Sequence, residues 1–238
     1  MGAFQFDVSL DPYSVDKKKW KIGINSMYKL FYYPRNASWA PHMLLAEMQL
    51  NYELILVDRK TEAQKNPEYL KLNPTGRIPT LAFDNQAIYE SAAICLFLCE
   101  QHPGKHLIPE TGTIARARFY QWLFYLNASL QPELMVYFYP QKHTTETSGH
   151  AEIKQAQENR VTQMLVLIDQ ELEGKEFLLG DNISACDFVL FMLLHWGSGL
   201  KRPPLSFPNL GKYLRAMATR ESIKVVCAVE GTNLEIYA

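Results

Sequence analysis

Three short stretches of this chain carry residue types that chemistry can use. The first is Asn36-Ala37-Ser38, which precedes Trp39, Met43, Ala46 and Leu50 at helical spacing. A serine in that position caps a helix N-terminus. The same position suits an anion. A thiolate placed there would meet the positive end of the helix dipole and the Ser38 hydroxyl, and both lower a thiol pKa from its free value of about 8.5. The Asn36 amide is a second donor on the same loop. Cap and thiolate partner are both open readings of Ser38 at this level.

The second stretch is Gly76-Arg77-Ile78-Pro79-Thr80. A proline directly ahead of a strand cannot donate a ladder hydrogen bond. With a cis Ile78–Pro79 bond, the Ile78 N–H and C=O would turn outward and pair with an extended peptide ligand, as in strand addition. An ordinary trans proline in a turn is the alternative. The third stretch is Tyr89-Glu90-Ser91. Ser91 at a helix start offers a hydroxyl beside unpaired N–H groups, a carboxylate site, and Glu90 can accept from an ammonium. Together they suit the two charged ends of a free α-amino acid group, although a serine there can equally be a simple cap.

The elements that position these residues follow from periodicity. Tyr28–Tyr33 reads as a buried strand ended by Pro34, with a helix from Ser38 and a second strand at Glu53–Val57. Strand–helix–strand implies a parallel pair. Asn66-Pro67 starts a short helix over Glu68–Leu72. Thr80–Phe83 and Ala87–Tyr89 read as a hairpin around Asp84-Asn85, and a helix runs from Ser91 to about Gln101. This order requires a mixed sheet covered by helices, an α/β layer structure. His102-Pro103-Gly104, Pro109 and Gly112 break the pattern, and strand signals end there. The expected division is residues 27–103 for the first domain, 104–112 for a linker and 113–238 for an all-helical domain. Ile114–Tyr139 reads as one long helical stretch bent or broken at Pro132. Val161, Met164, Leu165, Ile168 and Leu172 form one helical stripe. Ser184-Ala185-Cys186-Asp187 resembles a capping box ahead of an apolar helix ending near Trp196. Helices over Leu210–Thr219 and Glu221–Glu230 follow.

The totals narrow the function. A formal net charge of −1 gives no electrostatic case for nucleic acid or an acidic membrane surface. The sequence offers no apolar run long enough to span a bilayer. The cysteines Cys95, Cys99, Cys186 and Cys227 form no C-x-x-C pair, so zinc and dithiol readings lack a motif, and unpaired cysteines fit a reducing compartment. A cytoplasmic location, no metal and no nucleotide are therefore expected. The sequons at Asn36, Asn127 and Asn182 then have no meaning. Residues 1–26 mix Asp7, Asp11 and Asp16 with Lys17, Lys18 and Lys19 and lack the compact apolar segment of a secretory signal. They read as an N-terminal extension, whether a disordered solvated tail, a misassigned start or a cloning remnant.

Taken together, the order strand–Ser38–helix, then Arg77-Ile78-Pro79-Thr80, then Tyr89-Glu90-Ser91-Ala92-Ala93-Ile94, then a helical domain, resembles the glutathione transferase superfamily. The resemblance spans Met27 to about Gly231. It looks closest to the bacterial beta class, on Tyr28-Lys29-Leu30-Phe31-Tyr32-Tyr33, Ala40-Pro41-His42 and Leu72-Asn73-Pro74-Thr75-Gly76-Arg77-Ile78-Pro79. It implies a thioredoxin-like four-stranded sheet domain, a cis Ile78–Pro79 bond, glutathione as co-substrate, a homodimer, and glutathione contacts at Arg77, Ile78, Pro79, Glu90 and Ser91. Two positions depart from the beta class. Ala37 stands where that class has a cysteine able to form a mixed disulfide with glutathione, and Gln131 stands where it has a histidine. Ser38 is therefore the expected thiolate partner, as a hydrogen-bond donor, with Asn36 as its substitute. Tyr137, Tyr139 and Trp196 are candidates to line an apolar acceptor pocket, or else are core aromatics. His42 is expected on the first helix surface or at a domain interface. The activity implied is conjugation of the thiolate to a small hydrophobic electrophile in detoxification. A glutathione-dependent disulfide-bond reductase and a non-catalytic protein on the same fold are the alternatives. Maleylacetoacetate isomerase fits less well, because its Ser-Ser-Cys loop is absent.

Overall fold

The computed structural model describes residues 27–238; the N-terminal extension lies outside the described residues. Two compact units emerge. One holds the described residues up to Lys105 together with Val225–Thr232, and the other holds His106–Lys224 and Asn233–Ala238.

In the first unit the order is β1 (Tyr28–Tyr32), α1 (Trp39–Glu47), β2 (Tyr52–Leu56), α2 (Pro67–Leu72), β3 (Thr80–Phe83), β4 (Gln86–Tyr89) and α3 (Ser91–Gln101). The strands form one sheet in the order β2-β1-β3-β4, with β1 and β2 parallel and the β1–β3 and β3–β4 pairs antiparallel. This is the mixed sheet with helices that the sequence implies. Period-2 alternation divides β1 between the two faces. Phe31 packs with Val57, Tyr69, Leu72 and Ala82 on the α2 side. Leu30 and Leu81 are wholly buried, as are Trp39, Met43, Leu44 and Leu45 of α1. Helix α1 is buried from Trp39 to Leu45, so its sequence is apolar on nearly every side.

The register gathers the loops at one end of the sheet. Tyr32 pairs with Leu56, Phe31 with Thr80 and Thr80 with Tyr89. The C-terminal ends of β1, β2 and β4 therefore share an end with the start of β3. The three chemically equipped stretches all leave the sheet there.

The second unit is helical: α4 (Ile114–Tyr125), α5 (Gln131–Phe138), α6 (His150–Glu171), α7 (Ala185–Trp196) and α8 (Pro208–Ala218). At Pro132 the chain does not break. A π-helical segment, Leu126–Leu130, carries α4 into α5. Pro132 has no N–H for the carbonyl four residues before it, and a wider turn accommodates that loss. The stripe on α6 is buried at Val161, Leu165, Ile168 and Leu172. Ser184 donates from its N–H and its hydroxyl to Asp187 at 2.8 and 2.9 Å, and the Leu178 N–H donates to the same carboxyl at 3.0 Å. Burial still pushes the Asp187 pKa up from 3.8 to about 6, against the pull of these bonds.

Helix α9 (Glu221–Glu230) ends at Gly231, whose φ of +65° is the left-handed conformation a helix stop requires. The Thr232 N–H returns to the Cys227 carbonyl at 2.8 Å, completing that stop. No helix among the described residues is long and apolar enough to cross a membrane.

Candidate functional site

The Ile78–Pro79 bond is cis. The loop around it is braced from inside. Asn73, itself buried, donates from Nδ2 to the Arg77 carbonyl at 2.8 Å and to the Thr80 hydroxyl at 3.1 Å. The Tyr69 hydroxyl donates to the Arg77 carbonyl at 2.6 Å and shares a hydrogen bond with Thr80 Oγ1 at 2.9 Å. Asn73 Oδ1 accepts from the Thr75 N–H and hydroxyl. Between these fixed points the Ile78 N–H and C=O enter no backbone hydrogen bond among the described residues. They form an unused donor–acceptor pair at the edge of a rigid turn. Arg77 is exposed, and its carbonyl is committed to the brace.

Glu90 holds φ at +74°, a conformation that side-chain-bearing residues rarely adopt. It stands at the N-cap of α3, and its carbonyl accepts from the Ile94 N–H at 2.9 Å. Ser91 was expected as the cap and is instead the first helical residue. Its hydroxyl donates to the Ala37 carbonyl at 2.8 Å. That bond ties the start of α3 to the Asn36–Ser38 loop, so two of the three stretches are in direct contact. Its N–H sits in the first turn of α3, where no intrahelical acceptor exists.

Ser38 also differs from expectation. Its φ and ψ are −66° and −16°, already helical, and it makes no side-chain cap. The helical backbone turns the side chain back along the chain. Its hydroxyl donates to the Tyr33 carbonyl at 3.2 Å and accepts from the Tyr33 N–H at 3.4 Å, and the residue is fully buried. Asn36 is half-buried. Its Oδ1 accepts from Arg59 Nη1 at 2.9 Å, which leaves the Nδ2 amide as a donor. Arg59 also lies over the Tyr33 ring at 6.0 Å.

A residue the sequence reading did not single out, Glu230, completes the loop's surroundings. His42 is fully buried, not on a helix surface, and its Nδ1 meets Glu230 Oε1 at 2.7 Å. Oε2 of the same carboxylate accepts from the Arg35 N–H at 2.7 Å. The Tyr32 and Tyr52 rings stand edge-on to the His42 ring, and burial followed by the Glu230 charge raises both phenol pKa values. Glu230 is separated from its partners by most of the chain, so no local pattern could reveal it.

The cysteines are buried, and none forms a disulfide among the described residues. Burial, with Cys99 beside it, pushes the Cys95 thiol well up. Burial and the Glu230 charge take Cys227 from 9.0 to about 12. Neither is primed as a nucleophile. In the helical unit Tyr137 lies on α5 with Lys154 Nζ over its ring at 5.6 Å, Tyr139 follows α5 with Lys142 Nζ at 4.7 Å, and Trp196 ends α7. All three are half-buried. Gln131 opens α5, and its Oε1 is buried with no hydrogen-bond partner.

Comparison with known proteins gives a consistent result. Residues 36–101 match the profile described as Glutathione S-transferase, N-terminal domain, and residues 117–221 match Glutathione S-transferase, C-terminal domain. The chain is 30% identical over 210 residues to glutathione S-transferase GST-4.5 of Xanthomonas campestris pv. campestris, covering 86% of this chain and all (100%) of that one. Among solved structures it is similar to a bacterial beta class glutathione S-transferase of Sphingomonas chungbukensis. The identity is 30% and the TM-score 0.75, covering 86% of this chain and 100% of that one. A sphingomonad glutathione S-transferase complexed with glutathione matches at 28% identity and a TM-score of 0.75, over 86% and 100% of the two chains.

Proposed function

This chain belongs to the glutathione S-transferase superfamily, and from that premise we propose that it binds glutathione along the 78–79 turn and directs its thiolate at a small hydrophobic electrophile. The observation that carries the reading is the unused N–H and C=O pair of Ile78 beside a cis proline, on the sheet end that also holds Glu90 and Ser91. A peptide-like ligand supplies the matching carbonyl and amide. Its γ-glutamyl end would meet the Ser91 N–H at the start of α3 and the Glu90 carboxylate. Its sulfur would then lie by the Asn36–Ser38 loop.

Ser38 and Asn36 divide the thiolate role in a testable way. Ser38 can donate only by turning its proton away from the Tyr33 carbonyl, a long bond at 3.2 Å. Asn36 has its oxygen occupied by Arg59, which leaves its amide group as the donor. Each unit of thiol pKa lowering corresponds to about 1.36 kcal/mol of preference for the thiolate. Tyr137, Tyr139 and Trp196 are the proposed contacts of the electrophile. A cytoplasmic homodimer acting in detoxification is the accompanying proposal, and it rests on the family resemblance.

The test is glutathione calorimetry with an ultraviolet titration of the bound thiol, on wild type, Ser38→Ala and Asn36→Ala. Wild type is expected to bind glutathione with thiolate present at neutral pH. The variant that removes the donor raises the bound thiol pKa, by about one unit for a lost hydrogen bond to a charged acceptor. Binding without thiolate in wild type favours a non-catalytic protein on this fold, and no binding at millimolar glutathione removes the proposal.

A further inference from the structure

The Tyr33–Ser38 loop has a brace that comes from the far end of the chain. Glu230 is fully buried, and it sits at the C-terminus of α9, where the helix dipole is negative. A carboxylate is disfavoured there twice over, by burial and by the dipole. Two donors hold it. His42 Nδ1 bonds one oxygen at 2.7 Å and the Arg35 N–H bonds the other at 2.7 Å. Arg35 has φ of +59°, which a residue with a side chain keeps only where its surroundings enforce it. Arg35 directly precedes Asn36, so the direction in which the site loop departs from β1 is set at Arg35. The Gly231 helix stop in turn fixes where Glu230 points.

We propose that Glu230 is a positioning residue for the thiolate loop: it holds the Arg35 amide, and His42 holds Glu230, so that Asn36–Ser38 presents its donors in one geometry. The inference rests on the reading of that loop as the thiolate site. A structural alternative is that the carboxylate merely fastens α9, so the test must move with the loop and not with stability.

Glutamine separates the two. In Glu230→Gln the amide oxygen accepts from the Arg35 N–H, and the amide nitrogen donates to His42 Nδ1 in its other tautomer. Both bonds survive. Glu230→Ala removes both. Val226→Ala, at a wholly buried position on α9 one turn before Glu230, lowers stability while leaving both bonding partners in place. Two measurements are made on the full chain: amide exchange at residues 35–38, and the thiolate fraction of bound glutathione at saturation. In Glu230→Ala, exchange at Arg35 is expected to rise about tenfold, and the thiolate fraction to fall. Glu230→Gln is expected to match wild type, and Val226→Ala to lower the melting temperature alone. If Glu230→Ala does not fold, Glu230→Asp, which withdraws the carboxylate by one methylene, takes its place with the same expectation. Unchanged exchange and thiolate in the alanine variant overturn the proposal, as does an equal thiolate loss in Val226→Ala. A wild type that binds glutathione without thiolate removes the functional reading instead, and the exchange data still decide whether Glu230 holds the loop.

Discussion

The two turns at the functional end of the sheet are braced in opposite ways. The 73–80 turn is held by its neighbours. Asn73, Tyr69 and Thr80 make its bonds across separations of four to eleven residues. The 33–38 loop takes side-chain bonds from Arg59 and Ser91 across 23 and 54 residues and from Glu230 across 195, with Glu230 itself held by His42 across 188. A locally braced turn forms with its own segment and tolerates change elsewhere. A remotely braced one inherits the stability of whatever supplies the brace. The turn proposed to grip the peptide backbone of glutathione is of the first kind, and the loop proposed to tune its sulfur is of the second.

Substitutions can break this contrast. The largest effect is expected from Glu230→Ala, which leaves the buried His42 Nδ1 and the Arg35 N–H without this acceptor and costs about 3 kcal/mol of unfolding free energy in denaturant titration. Asn73→Ala comes next, at about 2 kcal/mol, because the Tyr69 hydroxyl still reaches the Arg77 carbonyl and Thr80. Its functional signature differs. Glutathione affinity falls in Asn73→Ala with the bound thiol pKa unchanged, while the Glu230 variant shows the reverse. The two losses are expected to add within about 0.5 kcal/mol, as sites with no shared partner do; strong coupling in a double-mutant cycle would merge the two braces into one.

The smallest effect belongs to Asp187, a third brace of intermediate reach in the helical unit. Its carboxyl accepts from Ser184 and Leu178, and its carbonyl from the Tyr213 hydroxyl at 2.9 Å. Its pKa is raised in the folded state, from 3.8 to about 6, by burial. Between those values the folded chain binds a proton that the unfolded chain does not. This contribution is therefore largest at acidic pH and is lost as pH rises through about 6. Melting temperatures measured across that window should show the downward slope in wild type and a flatter one in Asp187→Asn.

What the sequence made legible follows the same division. The mixed sheet, with its parallel pair and its hairpin, and the all-helical second unit could be read from period-2 and helical patterns, because those patterns are local. The Asn73–Thr80 turn and the cis proline were legible from prolines, a glycine and a family resemblance. The Asn36–Ser38 loop was located, but the Ser38 side chain was not: a serine ahead of an apolar helix reads as a cap whether its backbone is extended or, as here, already helical. The sequence around His42 points to a helix surface or a domain interface, because no partner for a buried imidazole lies nearby. Only Glu230, 188 residues later, explains its burial. The partner's position beside it is a property of tertiary packing, and no window of the sequence contains both.

The return of Val225–Thr232 to the first unit has a consequence for how the protein is made. Domains emerging from the ribosome generally fold in order, the N-terminal one first. Here the residue that secures Arg35 and His42 is translated after the whole of His106–Lys224. The sheet can assemble early, and Ser91 and Arg59 can reach the Asn36–Ser38 loop with it, but the Arg35 and His42 contacts to Glu230 wait until α9 has been synthesised. A nascent chain stalled before Glu230 would carry a formed cis-proline turn beside a loop still missing its last contacts, and the geometry proposed to tune the sulfur would arrive last.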